Sequence, residues 1–298
     1  MRHKKSKCQI MQQSNTRVSI QSPEQTEMLI QQLKPVLSSL HKAVLARFAY
    51  LQQWHYAHQQ QLATNNPLNL SDEDYALSQK KITAYQAWEA NVQSIVDNLE
   101  DEFCRQTAYM HFVRIFFVCV CEDYGFIAHS ISNVLFARHT QPGTELSGDS
   151  KDTYLKLLET AYQQICALYP DFLAHQESYS WFVPDENTIM TLFTLLDGYN
   201  FKELSVDILG RVYNESFIEN KTRSEKGQFY TPPKVVAYML DSLDIAIHSD
   251  HGYTKLDSFL EKTIGDLSCG SGSFLVAVAV RKSAFLQELV AAREVSPE

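Results

Sequence analysis

A short segment near the end of the sequence, Ile264 to Leu275, most restricts how this 298-residue chain can fold. Thr263–Ile264 favours a strand, and two closely spaced glycines, Gly270 and Gly272, follow it. Glycine reaches backbone angles that residues with a Cβ resist, so this spacing predicts a tight turn. The apolar run Phe274–Val280 then predicts a helix packed against a sheet. We therefore expect a strand, a turn and a helix in direct succession.

Such a turn can bind a ligand as well as connect two elements. Its free N–H groups and the start of a helix can hold an anionic or polar group. Asp266, at the end of the predicted strand, can accept hydrogen bonds from a ligand or from the loop. A plain junction between strand and helix is the alternative, because short glycine motifs are not specific.

A second segment, Gly227 to Lys234, stands upstream of the first. Thr231 is a suitable N-cap and Pro232 suits the first position of a helix. A helix start alone does not explain the aromatic pair Phe229 and Tyr230 immediately before the cap.

Together the two segments resemble the amino-terminal motifs of N6-adenine DNA methyltransferases. The likeness is greatest to type I and type IIG restriction–modification, or related phage-defence, systems. Gly-Gln-Phe-Tyr-Thr-Pro at 227–232 is similar to one family motif. The segment Asp266 to Leu275 is similar to Asp-Pro-[Ala/Ser]-Cys-Gly-[Ser/Thr]-Gly-x-[Phe/Leu]-Leu. Leu267 departs from the usual proline, which loosens the turn but leaves both glycines in place.

The resemblance implies that both segments bind S-adenosylmethionine. Phe229 and Tyr230 are expected to pack around this cofactor, Thr231 to bond its amino-acid end, and the glycine turn to lie under its methionine portion. We interpret Cys269 as a small residue that fits the turn rather than a reactive thiol. The cofactor-binding residues that the resemblance implies are Gln228, Phe229, Tyr230, Thr231, Pro232, Asp266, Cys269, Gly270, Ser271, Gly272 and Ser273.

The family's base-orienting motif, Asn/Asp-Pro-Pro-Tyr/Phe, is absent from the sequence. An enzyme that methylates adenine must flip the base out of the duplex and hold it. Asn66-Pro67-Leu68 lies in the wrong place and lacks the second proline and the aromatic residue. We assign no catalytic residue. The expectation is the amino-terminal part of a longer methyltransferase, inactive by itself, with the target-recognition region and the acid for the cofactor ribose also missing.

The expected fold class is mainly α: a helical amino-terminal domain, then the beginning of a Rossmann-like α/β methyltransferase domain. The predicted organisation is a polar tail at 1–22, a helical domain at 23–200 and the start of the methyltransferase domain at 201–298. Apolar residues at helical spacing run through the helical domain, and Pro35 is expected to begin or bend a helix. No strand is expected before residue 263. Further helices are predicted at about 71–99, 101–124, 151–169, 186–197 and 204–219, and loops or linkers at 65–69, 139–150 and 220–231.

The helix predicted at 101–124 ends in Glu122 and Asp123, before Gly125. Its apolar run is similar to a segment of type IIG enzymes. Acids at a helix C-terminus oppose the helix dipole. We therefore expect one of them to form a structural ion pair with an arginine, in preference to a catalytic role.

The net charge of −9 argues against this chain being the main DNA-binding part of a protein, although a local basic face could still contact DNA. The six cysteines include no Cys-x-x-Cys pair, and no secretory signal is recognisable, which indicates a cytoplasmic location. The most apolar run, from Phe112 to Cys121, is too short to span a bilayer. Expected partners are double-stranded DNA in the intact protein, with specificity or restriction subunits or a separate C-terminal half, and no membrane.

Other chemistries have weaker support. Glu219-Asn220-Lys221 is the sole Glu-x-Lys of the kind that nucleases use, and it follows a helical run instead of lying on a strand. His55 and His58 lack a second ligand pair, so no zinc site is expected. Two other functions remain open. One is a non-catalytic interaction subunit with a vestigial cofactor motif, and the other is a methyltransferase that acts on RNA or protein.

Overall fold

A computed structural model describes most of the chain, and its described part is predominantly helical. Two compact units are present, Met1–Leu204 and Ser205–Glu298. No helix among the described residues combines the length and apolar character needed to cross a bilayer. The described residues are 17–19, 23–64, 72–91, 98–140, 153–173, 178–202, 208–216, 231–242, 263–270 and 272–291.

The first unit is a helical assembly with one pair of very short strands. Its strands are β1 (Val18–Ser19) and β2 (Tyr199–Asn200), and a 3-10 turn covers Pro170–Leu173. Its helices are α1 (Pro23–Thr64), α2 (Asp72–Glu89), α3 (Leu99–Tyr124), α4 (Ser130–Thr140), α5 (Thr153–Leu168) and α6 (Glu186–Asp197).

The long helix α1 buries one apolar stripe against α2, α3 and α6. Side chains at helical spacing form this stripe, as a one-sided amphipathic helix requires. Its fully buried members include Leu29, Leu33, Leu37, Val44 and Leu51. Around Phe48 the core is aromatic: Phe103 stacks on Trp181 with centroids 5.7 Å apart, and both rings contact Phe48 edge-on.

The helix predicted at 101–124 is confirmed as α3. Asn98 caps its start and accepts a hydrogen bond from the Asp101 N–H at 3.1 Å. Gly125 ends it at φ 74°, a left-handed conformation that glycine adopts without strain. Burial raises the pKa of the Cys104 thiol to about 12 and that of Cys121 to about 11, so these two thiols of α3 are protonated at neutral pH.

Three boundaries differ from the sequence-based expectation. Pro35 does not begin a helix but lies inside the 42-residue α1. Proline has no N–H to donate to the Gln31 carbonyl, but both residues are exposed, so water can reach that carbonyl. Helix α2 ends at Glu89 instead of about residue 99, because Asn91 turns back and its amide bonds the Ala87 carbonyl at 2.7 Å. The helix α4 occupies 130–140, so His139 is helical and not part of the predicted loop, whose residues 141–150 lie outside the described part of the chain.

The expectation of no strand before residue 263 is wrong. β1 and β2 pair in parallel, with Val18 opposite Tyr199, and the Val18 N–H donates to the Gly198 carbonyl at 2.9 Å. The predicted polar tail at 1–22 therefore includes an ordered element at its end. Strands of two residues are too short to show an alternating pattern in a sequence.

The second unit contains α7 (Ile208–Ser216), α8 (Pro233–Ser242) and α9 (Ser273–Ala291). The strand expected at Thr263–Ile264 is not formed, and the described residues 263–266 carry no regular structure. A strand is defined by hydrogen bonds to a neighbour, and no neighbouring strand lies among the described residues of this unit. The Rossmann-like character of the second unit therefore stays a prediction. Residues 1–16 of the expected tail, the loop at 65–69 and residues 220–230 of the expected linker lie outside the described residues.

Candidate functional site

The glycine turn has the geometry that its sequence predicts. Gly270 has φ 53° and Gly272 has φ 83°, both in the left-handed region. The Gly272 N–H donates to the Cys269 carbonyl at 2.8 Å, which closes the turn. The Gly272 carbonyl then accepts from the Val276 N–H at 2.9 Å as the first bond of α9. The turn thus leads directly into a helix N-terminus, where backbone N–H groups favour a negatively charged or polar ligand.

Open space adjoins both glycines. Among the described residues, a Cβ placed on Gly270 would meet only the Ser268 carbonyl at 3.9 Å, and one on Gly272 only the Cys269 Sγ at 4.0 Å. Glycine is therefore required by the backbone angles and not by crowding within the chain. A ligand can approach the backbone of the turn on this side.

Asp266 is oriented by the turn but keeps acceptor capacity. One carboxylate oxygen, Oδ1, accepts from the Ser268 N–H at 2.9 Å. The other oxygen, Oδ2, is buried and has no hydrogen-bond partner among the described residues. A buried carboxylate oxygen without a donor is unfavourable, so a ligand donor at this position would stabilise it.

The second motif enters the structure at Thr231 and Pro232. The Pro232 carbonyl accepts from the Val236 N–H at 3.1 Å, which makes Pro232 the cap and Pro233 the first residue of α8. The predicted cap, Thr231, is therefore displaced by one position. Two consecutive prolines explain the shift, since neither has an N–H to offer a side-chain cap.

The helices that follow the two motifs pack together. Val236 and Leu240 of α8 and Val278 of α9 form a small buried core. Ile264 packs against this core from the segment just before the turn, as do Phe274 and Ala277 of α9. The helices that follow the two motifs are thus in apolar contact, although the motifs are far apart in the sequence. The start of α8 and the glycine turn therefore belong to one unit.

Arg281 also joins the two helices, and the sequence interpretation missed it. Its Nη2 donates to the Ala237 carbonyl at 3.1 Å and lies 2.7 Å from the Asp241 Oδ1. The available signal was a single arginine directly after the apolar run that ends at Val280. Helical spacing alone could not have identified its partners on α8.

The remaining residues predicted to bind the cofactor lie either at the glycine turn and the start of α9 or outside the described part of the chain. Cys269 is an exposed free thiol, and Leu267, at the family's proline position, is fully exposed. Ser273 is the first residue of α9. The expected cofactor contacts Gln228, Phe229, Tyr230 and Ser271 lie outside the described residues.

Metal and nuclease chemistry receives no support from the described part of the chain. Among those residues, no group of three or more His, Cys, Asp or Glu side chains is placed to hold a metal ion. The Glu219–Lys221 pair and the side chain of His58 lie outside the described residues.

Comparison with known proteins finds that residues 204–288 match the family described as N-6 DNA Methylase. The matched segment contains α7, α8, the glycine turn and most of α9. No curated protein and no solved structure matches the chain. The family match covers less than half of the sequence and supports, for residues 204–288, a DNA adenine methyltransferase family.

Proposed function

We propose that residues 205–298 are the cofactor-binding part of an adenine-specific DNA methyltransferase of a type I, type IIG or related defence system. The observation that carries this proposal is the coincidence of the N-6 DNA Methylase match with the geometry of the glycine turn. The turn presents backbone N–H groups, a helix N-terminus and the buried Oδ2 of Asp266 on one short segment.

The residues of the turn fit S-adenosylmethionine, which supplies an electrophilic methyl group when bound. The free Oδ2 of Asp266 can accept a hydrogen bond from a ligand donor. Gly270 and Gly272 allow the backbone to approach a ligand closely, because neither has a side chain over the turn. We propose that Cys269, Ser271 and Ser273 contact the cofactor as well.

The second wall of the proposed site is the segment before α8. Thr231 and Pro232 directly precede this helix, whose Val236 and Leu240 pack on the helix that follows the turn. Phe229 and Tyr230 directly precede Thr231 in the sequence. We propose that these aromatic side chains, with Gln228, cover the cofactor.

Double-stranded DNA is the proposed substrate of the intact protein. The sequence contains no Asn-Pro-Pro-Tyr motif to hold a flipped adenine, so we expect no transfer by these 298 residues alone. The same absence favours the second candidate, a non-catalytic subunit that binds a specificity or restriction subunit or a separate C-terminal half. Cofactor binding separates the two functions, since a vestigial motif is not expected to bind.

Alkylation of Cys269 tests the proposal without requiring activity. This thiol is exposed and lies within the turn, so bound S-adenosylmethionine is expected to slow its reaction. The rate is measured by mass spectrometry of the Cys269 peptide with increasing cofactor, with adenosine triphosphate as the control ligand. Slowing by the cofactor alone, lost in Gly270→Val and kept in Gly265→Ala, is the expected result.

Gly265 is a matched control because it lies in the same segment, has no neighbour within 4 Å of an added Cβ and has no left-handed φ. A Cys269 rate that millimolar S-adenosylmethionine leaves unchanged would contradict cofactor binding at this turn and favour the interaction subunit.

A further inference from the structure

The helical unit contains a buried arginine with one unsatisfied edge. Arg114 lies in the middle of α3 and its exposure is only 4%. Two of its nitrogens, Nε and Nη2, are buried and have no hydrogen-bond partner among the described residues. A buried polar group is normally paired, and an uncompensated buried charge is strongly unfavourable.

The two unsatisfied nitrogens define a specific geometry. Nε and Nη2 lie on the same edge of the planar guanidinium, and their N–H bonds point in parallel. This edge matches the two oxygens of a carboxylate or a phosphate group, which can accept both bonds at once. Arg105, two turns earlier on the same helix, differs because it pairs with Asp101 and Glu102.

The surroundings of Arg114 hold it without neutralising it. Its guanidinium carbon lies 5.6 Å from the centre of the Tyr179 ring, a cation–π contact. Tyr162 and Cys166 of α5 also face it. Burial raises the pKa of the Tyr162 and Tyr179 hydroxyls, so both are neutral. Burial and the charge of Arg114 lower the pKa of His111 to about 4, so this neighbour is neutral as well.

Three side chains lie close to the guanidinium of Arg114. Tyr162, Cys166 and Tyr179 are each half-buried, whereas Arg114 is fully buried. An ion that binds the Nε and Nη2 edge must displace part of these three side chains, because both nitrogens are buried. The phosphates of a DNA duplex cannot enter such a buried position.

We propose that Arg114 anchors a binding site for a small oxyanion, a carboxylate or a phosphate group, in the helical unit. The site is separate from the glycine turn in the chain and does not depend on the proposed function. The ligand contacts the Nε and Nη2 edge, and the Tyr179 ring supports the guanidinium from its face.

The test compares phosphate and acetate with chloride at matched ionic strength, on the full chain. The measured quantity is the midpoint of thermal unfolding. Phosphate stabilises many proteins without binding to a site, so the response of the wild-type chain is compared with that of Arg114→Met. At anion concentrations about ten times the dissociation constant, we expect a saturable rise of about 3–5 °C in the wild-type chain. The larger of the two responses shows whether the site takes phosphate or carboxylate.

Three variants make the result specific. Arg114→Met is expected to lose the saturable response, and Arg114→Lys to keep only part of it, because lysine retains the charge without the bidentate edge. Arg105→Met, on the same helix, is expected to keep the full response. Broadening of the phosphate resonance in phosphorus NMR measures binding to the wild-type chain even if a variant does not fold.

Two outcomes would overturn the proposal. One is an anion response of the wild-type chain no larger than that of Arg114→Met, together with no resonance broadening. The other is a marked loss of stability in Arg114→Met in chloride alone, which would mean that the guanidinium is satisfied by the protein itself. Equal or higher stability of Arg114→Met in chloride supports the site, since it removes an uncompensated charge.

Discussion

Arg17 Nη1 lies 2.5 Å from the Oδ1 of Asp123, and this contact joins residues that are 106 positions apart. Arg17 also donates from Nε to the Asp197 carbonyl at 2.7 Å. Its charge therefore lies at the C-terminal ends of both α3 and α6, where helix dipoles favour a cation. The other oxygen of Asp123 accepts from the Phe201 N–H at 2.8 Å, which fixes the residues after β2.

Asp123→Asn is expected to destabilise the chain by about 3 kcal/mol. The asparagine side chain has an NH2 group in place of one carboxylate oxygen. This donor would face either the guanidinium of Arg17 or the Phe201 N–H, so a buried donor or charge would be left without an acceptor. Urea unfolding followed by circular dichroism measures the difference. Asp171→Asn is the control, because Asp171 is exposed at the start of the 3-10 turn. Equal effects of the two substitutions would refute the structural role assigned to Asp123.

Two further acids stabilise helix N-termini from neighbouring segments. Glu186 accepts from the Tyr154 N–H at 2.6 Å and from the Leu155 N–H at 3.0 Å, at the start of α5. Glu122 acts in the same way on α4, accepting from the Ile131 N–H at 2.9 Å and from Ser132. Each carboxylate thus satisfies donors that a helix cannot pair internally.

Glu186→Gln is expected to cost about 1–2 kcal/mol, because the neutral amide keeps one acceptor where two N–H groups need one each. Hydrogen exchange should also quicken in the first turn of α5. The matched control is Glu159→Gln, on the exposed surface of the same helix. Unchanged exchange at Tyr154 and Leu155 would show that another group caps the helix.

The helical unit was partly predictable from its sequence, and the parts that failed have identifiable causes. Periodic apolar residues and Gly125 indicated α3, since both signals are local. The ion pair at the end of α3 was expected from the helix dipole, and the contact of Asp123 confirms it. Its partner could not be identified, because a contact across 106 residues depends on tertiary packing.

The candidate site shows the same limit. The turn conformation at Gly270 and Gly272 followed from residue type alone. Residue type did not predict that the helix cap moves from Thr231 to Pro232, nor that Arg281 contacts α8. The first depends on the competition between two adjacent prolines, and the second on how two helices pack.

His111 is expected to make the chain less stable in mild acid. Its pKa is lowered to about 4 by burial and by Arg114, whereas in the unfolded chain it is near 6.5. Below pH 6.5 the unfolded chain binds a proton that the folded chain does not, so stability falls until about pH 4. The loss is roughly 3 kcal/mol over this range.

His111→Gln removes this titration while an amide N–H can replace the His111 Nε2 contact with the Tyr179 carbonyl. The free energy of unfolding, measured from pH 7 to pH 4, should therefore fall less steeply in the variant. His129→Gln, at an exposed position, is the control and should follow the wild-type curve. Identical slopes in all three chains would mean that His111 is not buried as a neutral ring.

DNA binding by this chain is expected to be weak and nonspecific. The net charge is −9, and the densest basic cluster near the second motif is Lys221, Arg223, Lys226 and Lys234. Phosphate contacts release counterions, so any binding should weaken steeply as salt increases. Fluorescence anisotropy with duplexes of unrelated sequence, at several salt concentrations, measures this. Sequence-selective binding that persists at high salt would contradict the prediction.

Gly270 is expected to matter most for S-adenosylmethionine binding. At φ 53°, valine in place of Gly270 incurs backbone strain of about 1–3 kcal/mol. Its side chain would also occupy the open space beside the turn, where the nearest atom of the chain is 3.9 Å from an added Cβ. Affinity measured by calorimetric titration should fall by at least about tenfold, since 1.4 kcal/mol corresponds to that factor.

Tyr230→Ala is expected to weaken binding less than Gly270→Val, because it removes packing around the cofactor and leaves the turn unchanged. Gly265→Ala should leave the affinity unaltered, since Gly265 has no left-handed φ and no close neighbour. The expected loss of affinity is therefore largest in Gly270→Val, smaller in Tyr230→Ala and absent in Gly265→Ala. This order distinguishes an effect of turn geometry from an effect of packing and from a general disturbance of the segment. If the first two variants both bind as tightly as the wild-type chain, the cofactor does not lie between the two motifs.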